Sequence, residues 1–273
     1  SGGYNTILGG RAGKTGTEFH SCVIVGYGAC ADGNLATGAD GTVAIGYDTL
    51  KALTSGIGNV AIGFNSGKAL TTGGQNVAVG SGSLLTSVDG AGNTAIGSRA
   101  LYTYEGGSGE GYNTAVGFDA LLSLTDGQGN VAIGALAGDS LQGGDFNVMI
   151  GESAGKTTTA VNRMVVIGRD AMSSAVQTTA ADGTVAIGYG SMQNLTSGAG
   201  NLAIGYKSLH KSEETFFKRI KHFPKRSFLV IKKSLNLNFK NYWSLKYKPK
   251  KIELEDVVSK TKELLINSMK LRL

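Results

Sequence analysis

Two segments of this chain carry the residue types of a phosphate-binding loop: Gly9-Gly10-Arg11-Ala12-Gly13-Lys14-Thr15 and Gly151-Glu152-Ser153-Ala154-Gly155-Lys156-Thr157. In such a loop, backbone N–H groups cradle phosphate oxygens and the lysine neutralises their charge. Both segments place three residues between the outer glycines where the motif needs four, and neither sits between a strand and a helix. No nucleotide is expected. The turns Asp89–Asn93 and Asp126–Asn130 have the Asp-Gly-x-Gly-Asn form of calcium-binding solenoids. Calcium needs carboxylates supplied at each turn, and many turns here have none, so these read as turn residues and no metal site is expected. The histidines are His20, His210 and His222, and the scattered carboxylates form no repeated acid–base pair, so no catalytic residue, enzyme activity or cofactor is expected. Cys22 and Cys30 lack the partners of a zinc site and read as unpaired core residues in preference to a surface disulfide. One cluster suits recognition. Tyr102, Tyr104, Glu105, Glu110 and Tyr112 offer aromatic faces and carboxylates to a sugar or protein receptor.

These residues are carried on a repeat. A short phrase ending in glycine, such as Gly58-Asn59-Val60-Ala61-Ile62-Gly63, closes at Gly9, Gly26, Gly46, Gly63, Gly80, Gly97, Gly117, Gly134, Gly151, Gly168, Gly188 and Gly205. The intervals are 17 or 20 residues, and a block of four spanning 71 residues is itself repeated. The two loop-like segments lie 142 residues apart, two such blocks, so the repeat accounts for both. A period of this length belongs to stacked supersecondary units.

The residue before each closing glycine is Ile, Val or Leu, and the residue two earlier is Val, Thr or Leu. Apolar, mostly β-branched residues two apart predict a short strand with both on one face. Between them stands alanine in eight copies: Ala44, Ala61, Ala78, Ala95, Ala115, Ala132, Ala186 and Ala203. A small residue in such a column implies close approach of another backbone, and these alanines are the candidate contacts of a parallel homotrimer. Asparagine precedes the strand in eight copies, from Asn5 to Asn201, and predicts an amide ladder. After the glycine, patterns such as Ala100-Leu101 and Ala120-Leu121 predict a second strand on the other wall of each coil. Twelve coils about 4.8 Å apart make a rod of roughly 55–60 Å. Aromatic residues just after the glycine (Tyr27, Tyr47, Phe64, Phe118, Tyr189, Tyr206) are expected to pack. The three longer coils add residues around Asn34–Asp40, Tyr102–Tyr112 and Gln177–Asp182, on loops suited to recognition.

The phrase Asn-(Val/Thr)-Ala-(Ile/Val)-Gly followed by x-x-(Ala/Ser)-Leu resembles the head repeats of trimeric autotransporter adhesins, the YadA-like left-handed parallel β-roll. It also resembles related repeats of phage tail fibres. The likeness covers about residues 4–209, and the 17- and 20-residue coils lie nearer the fibre type than the shorter adhesin coils. The resemblance implies an all-β parallel β-roll of about twelve coils. It further implies a trimeric, structural and adhesive fibre outside the cell, on a virion tail or bacterial surface, that binds a glycan or protein receptor. Two alternatives stand beside it: an ice- or surface-binding solenoid, and a fibre with a glycan-cleaving activity not visible in the sequence.

Composition divides the chain. All 43 glycines lie before Lys207, and both prolines, Pro224 and Pro249, lie after it. Residues 1–206 hold 8 Lys/Arg against 14 Asp/Glu, whereas residues 207–273 hold 18 against 6. The expected domains are a repeat region over 1–209 and a basic, glycine-free tail over 210–273, short and α+β or helical. The tail reads either as an attachment or trimerisation element or as the product of a frame change. Its interleaved basic and aromatic residues raise nucleic-acid binding only as a minor alternative. No stretch is apolar and long enough to span a membrane as a helix. Because Ser1 falls within the repeat pattern, the chain reads as a piece of a longer protein.

Overall fold

A computed structural model describes residues 3–35, 39–106, 111–175 and 181–209, with the backbone of two further strands, Ser227–Val230 and Asn238–Asn241. Each repeat phrase forms a three-residue strand. They run from β1 (Thr6–Leu8), β2 (Val23–Val25), β3 (Val43–Ile45), β4 (Val60–Ile62), β5 (Val77–Val79) and β6 (Thr94–Ile96) to β7 (Thr114–Val116). β8 (Val131–Ile133), β9 (Val148–Ile150), β10 (Val165–Ile167), β11 (Val185–Ile187) and β12 (Leu202–Ile204) complete the series. All twelve join one parallel sheet in sequence order. The repeat region is therefore an all-β parallel solenoid.

Register is set by the glycine phase. Ala61 pairs with Ala78 across a 17-residue coil, and Val23 pairs with Val43 across a 20-residue one. The three extra residues leave the strand pairing untouched, so they are absorbed in the connecting loop.

The second wall differs from the expected strand. The two residues expected to begin it, such as Ala100 and Leu101, both point inward and are fully buried. Successive side chains of a strand point to opposite faces, so two inward neighbours need a left-handed step. Leu50, Leu84, Leu101 and Leu121 supply it, with φ between 47° and 50°. The coils still hydrogen-bond along this wall, as from Leu84 N–H to the Ala100 carbonyl (3.0 Å) and from Thr86 N–H to the Tyr102 carbonyl (3.2 Å).

The interior is thin. Leucines of the second wall, such as Leu50, Leu53, Leu70, Leu84, Leu101 and Leu121, meet the strand alanines across it, all buried. Volume is traded locally. Met149 replaces a strand alanine, and its sulfur fills the space above Gly138 and Gly155, 2.8 Å from where either Cβ would stand. Filling by exchange of large for small is what a core packed at crystal-like density permits.

The expected amide ladder is present. Asn59, Asn76, Asn93, Asn113, Asn130 and Asn147 are buried; each of the first five receives two bonds from the next coil, and Asn147 receives one, from the Met164 N–H. Asn130, for example, donates its backbone N–H (3.0 Å) and its Nδ2 (3.1 Å) to Asn113 Oδ1. The column is interrupted at both ends, where Thr42 and Met164 replace asparagine.

The chain divides into a unit through residue 222 and a second unit from residue 223. In the second, β13 (Ser227–Val230) pairs antiparallel with β14 (Asn238–Asn241). The rest of the basic tail over 210–273, with any helix expected in it, lies outside the described residues.

Candidate assembly and recognition surfaces

The alternation along each strand decides which face is the surface. The strand alanines, proposed above as contacts between chains, point into the coil of their own chain. Ala44, Ala61, Ala78, Ala95, Ala115, Ala132, Ala186 and Ala203 are all buried there, at 3% exposure or less. They are small because the opposing leucines leave no room, and they cannot touch another chain. The residues flanking them point outward instead. Ile62, Ile96 and Ile133 are 37–40% exposed, and Val43, Val60, Val77 and Val131 are half-buried on the same face. The outer face of the sheet thus presents two parallel columns of mostly Val and Ile along twelve strands.

The aromatics just beyond the strands are a second correction. They stack on one another outside the coils. Tyr27, Tyr47 and Phe64 form a run with ring centroids 5.6 and 5.4 Å apart, and Tyr189 stacks on Tyr206 at 5.2 Å. All five are exposed. Arg99 lies over the Phe118 ring and Arg169 over Tyr189, at 5.2 and 5.9 Å. The column therefore extends the apolar surface past the edge of the sheet.

The tyrosine-rich loop splits into surface and core. Tyr104 is 1% exposed and packs against Gly90, Gly106 and Gly111, so it is a core residue and leaves the recognition set. Burial, aided by Asp89, Asp126 and Asp145, raises its phenol pKa and keeps it neutral. Tyr102 is half-buried with its ring over Gly82, while Glu105 is exposed. Tyr112 is exposed and rests on Gly92. Glu110 lies outside the described residues, as do parts of all three longer loops. Phe146, which the sequence reading passed over, repeats the Tyr112 arrangement by lying on Gly129 and is 64% exposed. Its signal was present: an aromatic residue one coil after a glycine in the same slot.

The other chemical motifs are consumed by the fold. In the loop-like segments, Gly13 N–H donates to the Ala29 carbonyl, and Gly155 N–H to that of Ala171, both at 2.9 Å. Those N–H groups are spent holding coils together. Asn93 and Asn130 of the calcium-like turns point inward as ladder members. Among the described residues no group of three His, Cys, Asp or Glu side chains stands close enough to hold a metal ion.

Cys22 and Cys30 are free and buried. Desolvation, with a smaller contribution from Cys22, pushes the Cys30 thiol up to about 12. The thiolate is the reactive form, so Cys30 is protonated throughout the neutral range. Iodoacetamide at pH 8 is expected to leave Cys30 unmodified in the folded protein and to alkylate it in urea, as peptide mass mapping would read. Modification of Cys30 in the folded protein at the urea rate would contradict this burial.

Comparison with family models, curated proteins and solved structures gave no match for this chain. Its class rests on the geometry alone: a glycine-phased parallel β-solenoid repeat protein of twelve strands.

Proposed function

We propose that this chain is a structural and adhesive fibre segment that assembles in parallel with copies of itself as a homotrimer. The fibre stands outside the cell, on a virion tail or bacterial surface, and displays its remaining wall and loops to a surface glycan or protein receptor. The observation that carries this reading is the outward Val/Ile face. Twelve strands at about 4.8 Å spacing and three residues each give a strip of roughly 50 by 10 Å. An apolar strip of that size is at the upper end of what a lone soluble chain exposes. The stacked aromatics carry apolar surface beyond the strip's edge, so one rod has room for two neighbours. A closed cyclic trimer uses both contacts on every chain. Weak receptor contacts, multiplied over three chains and repeated coils, then gain avidity.

The alternative of an ice- or surface-binding array draws less support. The most regular polar column, the asparagines, is internal, and the hydroxyls of Thr54, Thr71 and Thr125 donate to carbonyls of the following coil.

Light scattering on the full chain tests the assembly. The native protein is expected at three times the chain mass, and the double variant Ile96→Lys/Ile133→Lys at the monomer mass with an unchanged circular dichroism spectrum. Both side chains are 39–40% exposed, so the single chain tolerates the lysines while a desolvated contact does not. A native monomer, or a trimer indifferent to both lysines, sinks the proposal.

A further inference from the structure

The wall opposite the sheet carries a groove of about 530 Å³ crossing successive coils. Lys51 and Lys68 occupy the same slot in adjacent coils, and both line the groove together with Asp32, Asn65 and Thr86. Its apolar lining comes from Ala52, Ala69 and Leu85.

Charge in and beside this groove is unbalanced. Asp48, with its side chain 7% exposed, is held by Lys51 at 2.9 Å and approached by Lys68 at 3.8 Å. Asp32 is bridged by Arg11 at 3.3 Å and by Lys51 at 3.5 Å. Three cations thus face two carboxylates, leaving one positive charge on a repeat region whose residues 1–206 carry more acid than base. The excess sits on Lys68, which is 41% exposed and has the longest of these ion contacts. Beside it, Asn65 Oδ1 is buried without a hydrogen-bond partner. That oxygen is closed to water, so the polar group a ligand meets here is the Lys68 ammonium.

We infer that this groove binds an acidic saccharide, with a sugar carboxylate on Lys68 and the C–H face of the ring on Ala52, Ala69 and Leu85. The inference rests on the adhesive reading above and specifies its ligand class. A saccharide fits better than an acidic peptide because the groove is open and its apolar lining is small, two alanine methyl groups beside one leucine. The groove lies on the wall away from the Val/Ile face, so assembly through that face leaves it open.

Isothermal titration of the full chain with tri-galacturonate tests this, with maltotriose as the neutral probe and a short poly-glutamate peptide as the acidic protein probe. Saturable, salt-sensitive binding of tri-galacturonate is expected, at least tenfold tighter than that of maltotriose. Lys68→Gln and Leu85→Glu should each weaken it at least tenfold. Lys156→Gln, in the same slot of a coil outside the groove, should leave it unchanged. Absence of tri-galacturonate binding overturns the inference, as does an equal loss in the Lys156→Gln variant, which would mark unspecific charge attraction. Equal affinity for poly-glutamate reassigns the groove to an acidic protein and also overturns it. Light scattering on the same samples separates the two readings: a trimer that binds no acidic saccharide removes the groove and leaves the fibre, whereas a monomer removes the fibre.

Discussion

Gly63→Ala should abolish the folded state of the neighbouring coils, while Gly58→Ala, five residues away in the same phrase, should cost only about 1–2 kcal/mol. Both glycines have positive φ, +135° at Gly63 and +65° at Gly58. Their surroundings differ. A Cβ on Gly63 would stand 2.6 Å from the Gly80 carbonyl oxygen and 2.8 Å from its carbon, both backbone atoms of the next coil. Nothing lies within 4 Å of the same atom on Gly58. Alanine at Gly58 therefore carries the left-handed backbone strain alone. At Gly63 the methyl group can be admitted only by moving β4 and β5 apart, and their separation is held by the ladder on one wall and the carbonyl bonds on the other. In a solenoid each unit contacts only its neighbours, so a break between two coils removes an entire interface. Urea unfolding followed by circular dichroism should show Gly58→Ala with a slightly lower midpoint and Gly63→Ala with a broken or missing transition. Equal midpoints for the two variants would show that the coils can shift to accept the methyl group.

The same contact explains why the fold was so legible. Each closing glycine from Gly9 to Gly188 meets the backbone of the following coil, so the spacing of the glycines is the spacing of the coils, and the sequence reveals it directly. Strand positions, parallel register and the amide ladder follow from that phase. Which strand face is inside does not. Alternation shows that Ala61 opposes Val60 and Ile62, but a column of alanines is equally consistent with a tight contact between chains and with a thin interior. The interior wins because Leu50, Leu53 and Leu70 point toward those alanines from the other wall. Their inward direction depends on left-handed steps at residues such as Leu50, which no local pattern of leucines announces. Tyr104 was misplaced for a similar reason. Its neighbours Tyr102 and Glu105 face outward, and only the glycines packed around it make room for a buried ring. The groove was not legible at all, because Lys51, Lys68 and Asn65 become neighbours only through the stacking of coils.

Asn113→Asp should destabilise the repeat region by about 3 kcal/mol or more at pH 7, and much less at pH 4. Asn113 lies within the ladder and is fully buried. Its Oδ1 accepts from the backbone N–H and the Nδ2 of Asn130, at 3.0 and 3.1 Å, and a carboxylate oxygen can keep both bonds. The other end of the amide cannot be replaced so simply. Nδ2 donates to Asn93 Oδ1 at 3.3 Å and to the Gly127 carbonyl at 2.8 Å, both acceptors. An ionised aspartate would aim a negative oxygen at two lone pairs in a site closed to water. A protonated one could donate to one of them, so the folded state favours the acid form and raises the pKa of this side chain. The sign follows from proton linkage. With the folded pKa above the unfolded value near 3.9, the folded state holds the proton more tightly, and stability falls as pH rises from the unfolded pKa through the folded one. Asn113→Ala loses all four of these hydrogen bonds without acquiring a titratable group, so its deficit against the native protein should not vary between pH 4 and 7. Chemical denaturation of the three proteins at both pH values separates the cases. If the two variants showed the same deficit at each pH, the amide at Asn113 would have no strict need for a donor on its second end, and the ladder could not be what holds the register of the coils.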